Sequence, residues 1–128
     1  VQRAVRAAVV AGLVAAAHDC SEGGVAVALA ESCGTGRDLV GCEATLPAAA
    51  RADVTLFGEG PSRVLVAVEA NHAREFEGLM AESAIPWRWI GTTGGDRLVI
   101  RMGSETVVDV DAGRLEHAWR SGFERHMA

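Results

Sequence analysis

The residues from Ala17 to Gly24 read AHDCSEGG: an imidazole, a carboxylate, a thiol, a hydroxyl and a second carboxylate in unbroken succession, closed by two glycines. Three chemistries could use such a stretch: anion binding, thiol nucleophilicity and metal ligation. If a strand leads in and a helix leads out, the first helical turn carries backbone N–H groups without intrahelical partners, and these bind anions with help from the helix dipole. Gly23 and Gly24 would let a ligand or another backbone segment approach where a side chain would obstruct. The same residues also suit a plain tight junction, with Ser21 capping the helix and Asp19 accepting from backbone amides. Asp19 and Glu22 would repel a phosphate, so the positive charge must come from elsewhere. A nucleophilic Cys20 is disfavoured, because neighbours in a strand point to opposite faces and seldom form a hydrogen-bonded pair. A metal site built from His18, Asp19 and Cys20 fails on the same geometry. His72, His117 and His126 are expected on exposed helix faces without a paired spacing.

A second polar cluster follows at LFGEGPSR, Leu56 to Arg63, where Glu59, Ser62 and Arg63 precede an apolar run. Gly58, Gly60 and Pro61 make it a shaped loop rather than a continued helix. An arginine at a strand mouth clamps a carboxylate or phosphate bidentately, or pairs internally with Glu59 to hold the loop.

These residues need a scaffold, and 128 residues suffice for one domain. Aromatics are few and tyrosine is absent, so the interior must be built mainly from Ala, Val, Leu and Ile. The net charge of −5, with no block of like charges, argues against a nucleic-acid surface. All 12 basic residues are arginine, which removes lysine nucleophiles, Schiff-base lysines and Walker-type lysines. Cys20, Cys33 and Cys42 match no zinc spacing and no secretory signal precedes them, so reduced cytoplasmic thiols are expected. No apolar run approaches the roughly 20 residues of a membrane span. The chain starts inside a helical pattern without an initiator methionine, as a fragment cut from a longer chain would.

Periodicity predicts the positioning elements. A helix over residues 1–13 would carry Val5, Val9 and Leu13 on one face and end at Gly12. A strand over 14–18 leads into the turn, and GGVAVALAESCG reads as a helix from the glycines to Gly34, with Val25, Leu29 and Cys33 aligned. DLVGCEATLP predicts a strand ended by Pro47, and AAARADVTLFGE a short helix. SRVLVAVE is apolar on both faces, as a central strand of a sheet would be. NHAREFEGLMAESA predicts a helix capped by Asn71 with Phe76, Leu79 and Met80 inward. PWRWIGTT, DRLVIRM and ETVVDV read as three adjacent strands of an antiparallel meander, with Trp87 and Trp89 on one strand face as core residues. A last helix follows an Asp111 cap. The expected fold is α+β, a mixed and largely antiparallel sheet of five or six strands packed with helices, forming a single domain over residues 1–128.

Taken together, AHDCSEGGVAVALAE, LFGEGPSRVLVAV, IPWRWIGTTGGDRLVI and LEHAWRSGFERHM resemble, in order and over nearly the whole chain, the C-terminal domain of phosphoribosylformylglycinamidine synthases, in the aminoimidazole ribonucleotide synthetase superfamily. That resemblance implies an ATP- and glutamine-dependent ligase of purine biosynthesis, which phosphorylates the formylglycinamide oxygen and displaces the phosphate with ammonia, with magnesium screening the phosphates. The HD-x-S-x-GG form is similar to the second of the family's two C-terminal-type copies. This copy abuts a pseudo-symmetric counterpart of the active site that holds a nucleotide in some larger relatives. The resemblance thus implies no catalytic residue and no metal ligand here, and no cofactor for the domain alone. It places His18, Asp19, Ser21, Gly23, Gly24, Glu59, Ser62 and Arg63 on a nucleotide- or substrate-facing wall. The implied partners are ATP-binding-type domains of the same chain, with glutaminase and small accessory subunits, in the cytoplasm and without nucleic acid or membrane. Where the family shows a Glu-Ser-Gln type of run, this chain has Glu59, Gly60 and Pro61, which favours a scaffolding loop. The alternatives are a dimerising interaction module presenting Trp87 and Trp89, and the corresponding domain of a sister enzyme of the selenophosphate synthetase, thiamine-phosphate kinase or hydrogenase-maturation type.

Overall fold

A computed structural model describes residues 1–20, 23–34, 39–48, 51–58 and 63–127, without the side chains of 34, 119, 120 and 122–127. The chain is α+β, and its described strands form two sheets rather than the single sheet expected. β1 (Val14–Asp19) pairs antiparallel with β3 (Val64–Val68) as a two-stranded ribbon. β4 (Gly91–Thr93), β2 (Cys42–Leu46), β5 (Arg97–Met102) and β6 (Glu105–Asp111) lie side by side in that order. β2 is parallel to β5, and the other two pairings of this sheet are antiparallel.

Helix α1 (Gln2–Val10) ends as its sequence predicts, with Gly12 at φ +76°. The Gly12 and Leu13 N–H groups return to the Val9 and Ala8 carbonyls at 3.0 Å each, the paired bonds of a Schellman stop. Its buried face differs from expectation. Ala4 and Ala8 are inside while Val9 is exposed, because the close approach of α1 to α4 (Ala73–Ser83) selects the small residues. Ala4, Ala8, Leu13, Phe76 and Met80 form a small core, against which Val14, Val66 and Val68 pack. A larger core joins α2 (Gly24–Gly34), β2, α3 (Ala52–Phe57) and β5, with Leu98 and Ile100 its largest fully buried side chains.

β3 shows why an apolar strand need not be central. Leu65 packs against the larger core and Val66 and Val68 against the smaller one, so both faces are used although β1 is its only strand partner among the described residues. Three further expectations are corrected. β2 lies between β4 and β5, so the last three strands are no simple meander. Asn71 sits in a 3-10 turn, Ala70–His72, and α4 starts after His72 without a side-chain cap. Trp87 and Trp89 precede β4 and stand 38% and 45% exposed, touching each other and Phe76 instead of entering a core. Trp89 donates to Glu77 at 2.8 Å, which satisfies its indole N–H at the surface. The last helix, α5 (Ala112–Met127), has the expected cap, with the Arg114 N–H donating to Asp111 Oδ1 at 3.2 Å. No helix of the described residues is long and apolar enough to cross a membrane.

Candidate functional site

β1 delivers His18 and Asp19 to the ribbon's end, and α2 starts at the glycines. Gly23 and Gly24 have φ of +80° and +77°, a left-handed backbone that a side chain strains. At Gly24 the constraint is also steric. A Cβ there would lie 2.7 Å from the Leu56 carbonyl oxygen and 2.8 Å from Phe57 Cα. The space that Gly24 leaves is therefore filled by the end of α3, where the second polar cluster begins. From the other side the Cys20 N–H donates to the Arg63 carbonyl at 3.0 Å, continuing the ribbon one step past the Asp19–Val64 pair. The glycine turn and the arginine-bearing segment are thus joined at two points on one side of the molecule.

His18, Asp19, Gly23, Gly24 and Arg63 are brought together. Ser21, Glu59 and Ser62 lie outside the described residues, and with them the Glu59–Arg63 pairing. Glu31, missed as a site residue, belongs to the cluster: His18 Nε2 donates to its Oε2 at 2.7 Å. Its signal was the helical period, since a residue two turns after Gly24 returns to the face that looks back at β1. His18 Nδ1 donates to the Asp19 carbonyl at 2.6 Å. That bond, then partial desolvation acting against it, then Glu31, leave the imidazole pKa above its ordinary value.

Cys20 is 2% exposed, and burial raises its pKa despite the opposing charge of Arg63, so it is not an activated thiol. Cys33 and Cys42 are free and buried as well, with Cys42 pushed up to about 11 by burial. Among the described residues no three His, Cys, Asp or Glu side chains gather as a metal site. His72 departs from its expected exposed helix face. It is half-buried at the start of α4, with Nδ1 enclosed and unpartnered.

Residues 1–103 match the family model of the AIR synthase related protein, C-terminal domain. The chain belongs to that family. Among relatives of this C-terminal domain, phosphoribosylformylglycinamidine synthase subunit PurL of Anaeromyxobacter dehalogenans is 44% identical over 96% of the chain and 17% of its own length. The Synechocystis subunit of that name is 36% identical over 99% of the chain, again 17% of its own length. The chain thus spans about a sixth of these relatives. Solved structures of Thermotoga maritima PurL, one complexed with FGAR and one with ATP, superpose on this AIR synthase related domain with a TM-score of 0.76 each. They are 19% identical over 89% of the chain and 20% of theirs, a likeness of fold.

Proposed function

We propose that this chain is the second C-terminal-type domain of a phosphoribosylformylglycinamidine synthase, where it scaffolds the ATP-binding-type domains and walls an auxiliary nucleotide site. The observation that carries the reading is the junction of the two polar segments, through the Cys20–Arg63 backbone bond and the close fit of Gly24 against α3. Relatives of the same family carry that enzyme's name along the whole chain. His18 and Arg63 supply the positive charge that Asp19 and Glu22 make necessary for an anionic neighbour.

The described residues do not assemble a complete nucleotide or magnesium site. The cradle at Gly24 is occupied by the protein's own backbone, and among the described residues no cluster of three His, Cys, Asp or Glu side chains is available for the metal. ATP and magnesium would be held by the adjoining domains, and this chain's residues would position those domains and present charge to them. Phe57, whose backbone abuts Gly24, is 53% exposed, and Val54 is 56% exposed on the same short helix. Such apolar surface beside a polar wall suits a covering domain. Glutamine-derived ammonia, glutaminase and small accessory subunits and a cytoplasmic location belong to the same reading.

Incubating the chain with ATP, magnesium, formylglycinamide ribonucleotide and ammonia is expected to give no turnover, whereas the chain joined to its ATP-binding-type domains is expected to be active. Turnover by the chain alone overturns the reading. Exposed Trp87 and Trp89 favour the competing reading of a self-associating module. A tight, concentration-independent dimer in sedimentation would support that instead.

A further inference from the structure

The peptide between Asp19 and Cys20 is held at both ends. Its carbonyl oxygen accepts from His18 Nδ1 at 2.6 Å, and its N–H donates to the Arg63 carbonyl at 3.0 Å. The other nitrogen of the same imidazole reaches across to α2, donating to Glu31 at 2.7 Å. One ring therefore links α2 to the end of β1 and, through the fixed peptide, to the segment that carries Arg63 into β3.

Both partners of the ring act as acceptors: the Asp19 peptide carbonyl and the Glu31 carboxylate. A neutral imidazole has one N–H and can serve only one of them, leaving a lone pair against the other oxygen. The complete arrangement therefore requires two ring protons. We propose that His18 is a proton-dependent clamp, anchored by Glu31, that couples helix α2 to the Arg63-bearing segment and loosens that coupling when the ring loses its proton.

Among the described residues, the charged groups acting on the ring are Glu31 from α2 and the Asp19 carboxylate from β1. β3 places apolar Leu65 opposite it, and the charge of Arg63 is felt at neighbouring Cys20. The His18 and Glu31 side chains are 33% and 38% exposed, so water can take the proton directly without opening the fold. The pKa of the ring is raised on folding. The contribution of the clamp is therefore fully present below the ordinary imidazole value of about 6.5 and is lost as pH rises through the higher folded value. That window opens upward from about 6.5, and across it the coupling of α2 to the Arg63-bearing segment would change with pH. The clamp is a property of this chain and does not depend on which ligand the wall faces.

The test is a titration of the His18 ring by NMR in the wild-type chain and in Glu31→Gln, together with protection of the Cys20 amide, corrected for intrinsic exchange, on both sides of the measured midpoint. The wild-type midpoint is expected above about 6.5 and is expected to fall in Glu31→Gln, while His117 stays where it was. Cys20 protection is expected to drop roughly three- to tenfold above the midpoint and in the variant, the factor for losing one hydrogen bond. A wild-type midpoint at or below the ordinary value, or Cys20 protection that is equal on both sides, overturns the clamp. The wild-type series decides the matter even where the variant fails to fold.

Discussion

At Gly24 two independent constraints meet, a left-handed backbone and the carbonyl of Leu56 where a methyl would sit. Gly24→Ala is therefore expected to cost about 2 kcal/mol or more in chemical denaturation. Gly78 is the control, since it lies inside α4 and a Cβ there meets nothing within 4 Å. Gly78→Ala is expected to stabilise by roughly 0.5–1 kcal/mol, because alanine restricts the unfolded chain and suits a helix interior. The sequence made the glycine pair legible as a junction, because only such residues join a strand to a helix so abruptly. What it could not show was the occupant of the vacated space, which comes from residues more than thirty positions away. Glu31 was hidden for a related reason. On a helix rich in buried alanine and valine, one carboxylate reads as solvated until the strand that carries His18 is known to lie against it.

Helices and their ends were read more securely than strand neighbours. The stop at Gly12 and the cap at Asp111 rest on residues within one turn of each other, so local sequence suffices. Asp111→Ala is expected to lower stability by about 1 kcal/mol, measured by thermal or urea unfolding, as α5 loses the bond that caps its first turn. Strand order depends on partners distant in sequence. Alternation located β4, β5 and β6 but carried no sign that β2 would enter between the first two. The doubly apolar pattern of β3 was right that both faces are covered and wrong that the strand is central, since two separate cores half-bury it in a two-stranded ribbon.

On the scale of the molecule, those two cores differ in size, and the smaller joins Ala4 and Ala8 of α1 with Phe76 and Met80 of α4 around Leu13. Phe76 is 4% exposed at its centre, and Phe76→Ala is expected to cost about 3–5 kcal/mol. Hydrogen exchange would resolve where that loss falls: amides of α1 and α4 should lose protection first, while those of β2 and β5 keep theirs. Uniform loss across both cores would mean that the ribbon binds them into one cooperative unit. Overall fold class was accessible from composition and periodicity, but the division of the sheet was not, because it arises from how α1 and α4 draw the ribbon to themselves.

The insertion of β2 has a consequence for biosynthesis. Cys42–Leu46 pairs with residues Gly91 to Met102 on either side, so both of its edges wait until that later stretch has left the ribosome. At about 5–20 residues per second, the nascent strand stays bare for several seconds, longer than a hairpin needs to close. Its alternation of buried Cys42, Ala44 and Leu46 with exposed Glu43 and Thr45 makes that delay tolerable, for a growing chain that exposes a charged, half-polar edge offers other chains little to grip.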